Sequence, residues 1–318
     1  MVTTTEEART PARTEREASQ SRNLSECPAP REVIWKLVCK LGRCEPGTAR
    51  VPMKVSMCVL LGLLLFCSFL CLNLRAETNS PAAHHAATEA DFLAYAKNSF
   101  DESRSRYNKR SRTRDDAWQF GRACFDLAEF ATNNSERVEI AEQGIAACRQ
   151  LIASDSNSAP AHYYLAMNLG QLARTKGLGA LRLVNEMERE FSSARSLDEH
   201  FDNAGPDRNL GLLYLDAPSI GSIGSRRKAR QHLQRAAELA PQYPENRLNL
   251  IEAYLKWGDR ADGRRELKAL EDGWPEAHSK LTGDAWGASW ADWSARLKSV
   301  KKRLEEPSKA IEAPRQKS

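Results

Sequence analysis

Two apolar patterns divide the chain. From Val55 to Leu74 it runs VSMCVLLGLLLFCSFLCLNL, twenty residues without a charge, with Arg50 and Lys54 before it and Arg75 after it. Beyond residue 88 the apolar positions instead return at helical spacing among polar ones, the mark of amphipathic helices that bury one face. Phe92, Leu93 and Tyr95 open a short helix, and the Arg-rich stretch 103–114 follows as a polar connection.

The later helices come in pairs. Between Arg226 and Gly258, Ala229, Leu233 and Ala236 share one face, Pro241 stops the helix, and Leu250, Tyr254 and Gly258 mark the next helix and its end. The two alanines allow close approach, Tyr254 fills the groove between the helices, and Gly258-Asp259 makes the tight turn. The first-helix pattern recurs at Leu210-Gly211 with Tyr214, Leu165-Ala166 with Leu169, and Phe120-Gly121 with Cys124. Second helices carry Cys148 with Leu151, Phe191 with Ala194, Leu233 with Ala236, and Leu267 with Leu270. No such unit can bury its apolar face alone, so stacking supplies the core and leaves a concave surface. The prediction is an all-α fold with about four helix pairs over 115–272. Trp286, Trp290, Trp293 and Leu297 share a face in an amphipathic helix that caps the stack within 273–304.

The unit from Arg226 to Gly258 resembles the tetratricopeptide repeat, which implies a right-handed superhelix. Gly205-Pro206-Asp207-Arg208, Leu210-Gly211, Tyr214, Ala217-Pro218 and the loop SIGSIGS, together with Tyr163-Tyr164-Leu165-Ala166, are similar to the T-component of TRAP transporters. That second resemblance spans roughly 140–270. It implies a periplasmic protein that assembles into a ring and partners a substrate-binding protein. Members of that family are commonly lipid-anchored; here Cys71 follows Ser68-Phe69-Leu70, not the small residues of a lipoprotein cleavage site.

Val55 to Leu74 is long enough to cross a bilayer, and reads either as a retained anchor or as a secretory signal cleaved near Ala76. Residues 1–52 have no sustained period and are expected to be a disordered extension, with translation starting at Met53. Residues 53–76 are then the signal or transmembrane segment, 77–114 a linker and short helix, and 305–318 a disordered tail. This places the protein in the cell envelope, periplasmic or otherwise extracytoplasmic, either membrane-anchored or secreted.

Charge alters the picture only by subtraction. The whole chain carries +5, but from Glu77 onward 36 Lys and Arg face 35 Asp and Glu, so a nucleic-acid partner is not expected. Cys27, Cys39 and Cys44 lack zinc-type spacing, and the pair His84-His85 has no acid or cysteine cluster beside it. Cys124 and Cys148 lie on facing helices, either paired in an oxidising compartment or packed as buried thiols. No phosphate loop, G-x-S-x-G or H-E-x-x-H motif occurs, so neither catalysis nor a cofactor is expected.

Candidate binding residues follow from the stack. Tyr164, Asn168 and Gln171, spaced one turn apart, could present polar groups to a groove ligand. Arg208 lies on a first helix two residues before Leu210. Ser225 and Arg226, after a glycine-rich loop, could hold an anion at a helix N-terminus, or Ser225 could simply cap a solvated helix. The expected function is non-catalytic binding of a protein or peptide in the concave groove, with a homo-oligomer possible. The alternative, implied by the transporter resemblance, is a small-ligand-binding accessory subunit.

Overall fold

The computed structural model describes residues 89–177, 179–283 and 286–306. Among these there are ten α-helices and no strand: α1 (Glu89–Tyr107), α2 (Arg114–Glu129), α3 (Asn134–Ser154), α4 (Ala159–Ala173), α5 (Ala180–Leu197), α6 (Phe201–Asp216), α7 (Arg226–Leu239), α8 (Pro244–Trp257), α9 (Arg260–Lys280) and α10 (Gly287–Glu305). The all-α class is therefore observed.

Local chemistry sets the boundaries. Thr113 accepts from the Asp116 amide while Asp116 accepts from the Thr113 amide, a reciprocal cap that opens α2. Asn133, Ser158 and Ser225 cap α3, α4 and α7 one-sidedly, each side chain accepting from the amide three residues on. Gly258 ends α8 at φ 80°, a left-handed position a glycine occupies without strain.

Each helix packs on its neighbours in sequence, and α2 also touches α4, α4 touches α6, α6 touches α8, and α8 touches α10. The even-numbered helices thus form one continuous layer, and α3, α5, α7 and α9 each bridge two of its members. Small residues bring the layers together. Gly121 on α2 lies against the Cys148 sulfur of α3, and a Cβ on Gly211 of α6 would sit 2.7 Å from Leu233 Cγ of α7. Tyr163, Tyr164, Phe191 and Phe201 form a nest of edge-on rings in the middle of the stack, with Trp118 stacked on Tyr164. At the C-terminal end Trp293 is buried against Tyr243, Trp286 and Trp290. Arg260 and Arg264 donate to the last carbonyls of α10 and fasten it to α9.

Some boundaries differ from the sequence reading. The first helix is a full nineteen residues, because Ser103 to Tyr107 continue it rather than joining the polar connection. Helix α9 runs on to Lys280 through Pro275. The 1–52 extension, the proposed Met53 start, Val55 to Leu74, the His84-His85 linker, Cys27, Cys39, Cys44 and the tail beyond 306 all lie outside the described residues. No helix among the described residues is long and apolar enough to cross a membrane. The signal or transmembrane segment is without structural support and is not carried forward.

Candidate functional site

The most polar part of the interior lies where α4, α6, α7 and α8 meet, and it is built around an unusual turn. Asp202, Asn203 and Ala204 all have left-handed backbone, with φ of 51°, 54° and 61°. Three successive non-glycine residues in this region cost about 1–2 kcal/mol each, so the surroundings must hold them. Arg208, one turn further on, does so. Its Nη1 donates to the Asp202 and Asn203 carbonyls, each at 3.1 Å, and to Asn246 Oδ1 at 3.3 Å. Its Nη2 donates to Asp202 Oδ2 at 2.6 Å. The Asp202 carboxylate also accepts from the Tyr163 hydroxyl at 2.5 Å, and Asn246 Nδ2 donates to the Asn203 carbonyl at 3.0 Å. The Arg208 guanidinium lies over the Tyr243 ring, 5.1 Å from its centroid. Burial and the Asp202 charge push the Tyr163 hydroxyl well above its ordinary range, so it stays a donor.

Arg208 is therefore a lock within the fold, not a groove ligand. The adjacent acid Asp207 pairs elsewhere, with Arg195 at 3.0 Å and with His232 at 2.7 Å.

The other candidates are brought together only in part. Tyr164 is stacked on Trp118 inside the core. Asn168 is fully buried, and its Nδ2 bridges the Gly121 and Tyr164 carbonyls at 2.8 Å. Gln171 donates to Glu129 Oε1 at 2.5 Å and accepts from Arg174, which itself pairs with Glu129 at 3.0 Å. These three side chains join α4 to α2 instead of facing an open groove. Ser225 caps α7, and Arg226 pairs with Asp259 at 2.8 Å while lying over Trp257, so both are engaged internally at the place proposed for an anion. Cys124 and Cys148 are free buried thiols, and burial pushes both well above the ordinary range.

The sequence reading missed Asp126, Asp202 and Asn246, and took Tyr163 only as part of a resemblance. Asp126 lies one helical turn from Arg122 and 3.6 Å from it, with Oδ1 buried and lacking a hydrogen-bond partner. Burial raises its carboxyl to about 7, against the pull of Arg122. The Asp-x-x-Gly-Pro-Asp-Arg string from Asp202 to Arg208 was a usable signal, since an acid, a glycine and a proline at the start of a helix mark a special turn. Among the described residues no three His, Cys, Asp or Glu side chains come together to hold a metal ion.

Against known families, residues 86–199 match the profile of regulator of microtubule dynamics protein 1-3. The match covers a little over a third of the chain and is a likeness. No curated protein was found to match the chain. This finding overturns the tetratricopeptide and TRAP T-component resemblances, since the family that matches is a different one. The structure supplies the reason: Gly121, Ala166, Leu210, Gly211 and Tyr214, which carried those resemblances, are packing residues that any closely paired helices need. The periplasmic and cell-envelope placement and the transporter and membrane readings fall with them. They rested on that resemblance and on Val55 to Leu74, whereas the family that matches is a different one, named for microtubule dynamics.

Proposed function

We propose that the protein is a non-catalytic binding scaffold whose partner is a protein, held along the layer of even-numbered helices, with the two layers curving as a right-handed superhelix. The observation that supports this most is the row of charged and amide groups on that layer. Arg122 and Asp126 on α2 are followed by Glu245, Asn249 and Glu252 on α8, with Arg296 of α10 bonded to Asn249 and Glu252. Asp126 Oδ1 and Asn249 Nδ2 are buried without a hydrogen-bond partner, which leaves one acceptor and one donor on the row.

The family likeness suggests the kind of partner, because a regulator of microtubule dynamics acts on tubulin polymers. Co-sedimentation of the full chain with polymerised tubulin tests this. The expected result is saturable pelleting that weakens in Asp126→Lys. Absence of pelleting at tubulin concentrations of about 10 μM or more, where specific protein pairs are populated, overturns tubulin as the partner.

A further inference from the structure

The cations of the Arg-rich stretch that ends α1 and leads into α2 have no part in the interior. From Ser103 to Arg114 the stretch carries Arg104, Arg106, Lys109, Arg110, Arg112 and Arg114 and no acid. Half of these cations are matched locally: Arg104 by Asp101 at 2.9 Å, Arg106 by Asp116 at 3.6 Å, and Arg114 by Asp155 at 2.9 Å. The other three crowd the turn itself. Among the described residues, the side chains of Lys109 and Arg110 reach no carboxylate, and Arg112 lies over the Tyr107 ring at 4.9 Å. All three are exposed.

The turn is held in place. Amides of Asn108, Lys109 and Arg112 donate to the carbonyls of Arg104, Arg106 and Lys109. The Tyr107 hydroxyl donates to Gln150 of α3 at 2.6 Å, its ring stacks on Phe120, and Thr113 caps α2. Three like charges within four residues repel one another, and among the described residues none is matched by a carboxylate, so they form a preorganised site for negative charge.

We propose that this turn docks an acidic segment of a protein partner, with Lys109, Arg110 and Arg112 as its contacts. The inference rests on the scaffold reading in taking the partner to be a protein. The chemistry around the turn selects among anions. Residues 108–114 contain no apolar side chain to enter a bilayer. Stacked bases would need a free aromatic face, and Tyr107 is covered by Phe120 and Arg112. Asp101, Glu102, Asp115 and Asp116 flank the turn, which limits the positive surface to the reach of a few acidic residues and disfavours a long polyanion.

The test is fluorescence anisotropy of the full chain with a fluorescein-labelled peptide of Glu and Gly, beside a Gln and Gly peptide, a single-stranded oligonucleotide and phosphatidylserine vesicles. Binding of the Glu peptide alone is expected, weakening as salt rises and falling at least about tenfold in Lys109→Glu/Arg110→Glu. Among the described residues neither substituted side chain has a hydrogen bond, ion pair or ring contact, and the thermal midpoint of the variant checks that the fold is kept. Unchanged binding in that variant, no binding of the Glu peptide, or tighter binding of vesicles or oligonucleotide overturns the proposal. A chain that binds the Glu peptide through the turn yet fails to pellet with tubulin overturns only the tubulin reading.

Discussion

Arg208 Nη2 stands 2.6 Å from Asp202 Oδ2, and the other arm of the same guanidinium closes on the carbonyls of Asp202 and Asn203. One side chain thus neutralises a buried acid and ties down the strained backbone that carries it. Arg208→Ala leaves the Asp202 carboxylate buried without its cation and is expected to cost about 3–5 kcal/mol. Arg208→Lys restores charge but not the planar fork, so most of that loss should remain. Urea unfolding followed by circular dichroism measures both.

Asn203 tests the strain directly. At φ 54° a β-branched residue is a genuine outlier, whereas glycine is at ease. Asn203→Val should destabilise by about 1–3 kcal/mol and Asn203→Gly should be neutral or slightly stabilising. Equal losses in the two variants would mean that the Asn203 side chain, not its backbone, matters.

The α2–α3 contact predicts a compensating pair. A methyl added at Gly121 would overlap the Cys148 sulfur, so Gly121→Ala should destabilise by about 1–3 kcal/mol through overpacking. Cys148→Ala opens a cavity by itself, but combined with Gly121→Ala it gives the methyl room. The double variant should be more stable than the sum of the single losses by at least about 0.5 kcal/mol. Thermal denaturation of the four proteins closes the cycle.

Asp126 predicts a pH dependence. Its carboxyl titrates near 3.8 in the unfolded chain and near 7 in the fold, so the folded state holds the extra proton between those values. The stability it contributes is complete below pH 4 and is lost as pH rises towards 7, by up to about 1.4 kcal/mol per unit. Asp126→Asn should remove this decline and make the variant more stable relative to the parent at pH 8 than at pH 5. Parallel stability curves across that range would place the titration elsewhere.

How much of this was legible follows from what kind of signal each feature leaves. Helix pairing was readable because Gly121 with Cys124, Gly211 with Tyr214 and Leu233 with Ala236 repeat one three-residue offset, and offsets survive in one dimension. The family behind them was not, because close packing demands the same small and aromatic residues of unrelated stacks. Tyr164, Asn168 and Gln171 were picked out as polar groups at one-turn spacing. Spacing does not say whether a face meets solvent or α2, and here Gly121 leaves a backbone carbonyl for Asn168 to bridge. Arg208 joins residues as far apart as Tyr163 and Asn246. No local pattern encodes a contact over such distances.

The Arg208 lock also sets an order of events for a chain leaving the ribosome. Helices that touch mostly their sequence neighbours can form as they emerge, since little loop entropy stands in the way. Asn246 and Tyr243, however, leave the exit tunnel dozens of residues after Asp202, so the left-handed turn is without half its supports until α8 appears. The nascent protein would then hold α2 to α5 in final form while α6 waits for α8. A ribosome stalled before residue 243 should display a chain whose front half resists protease and whose Asp202 to Ala204 turn does not.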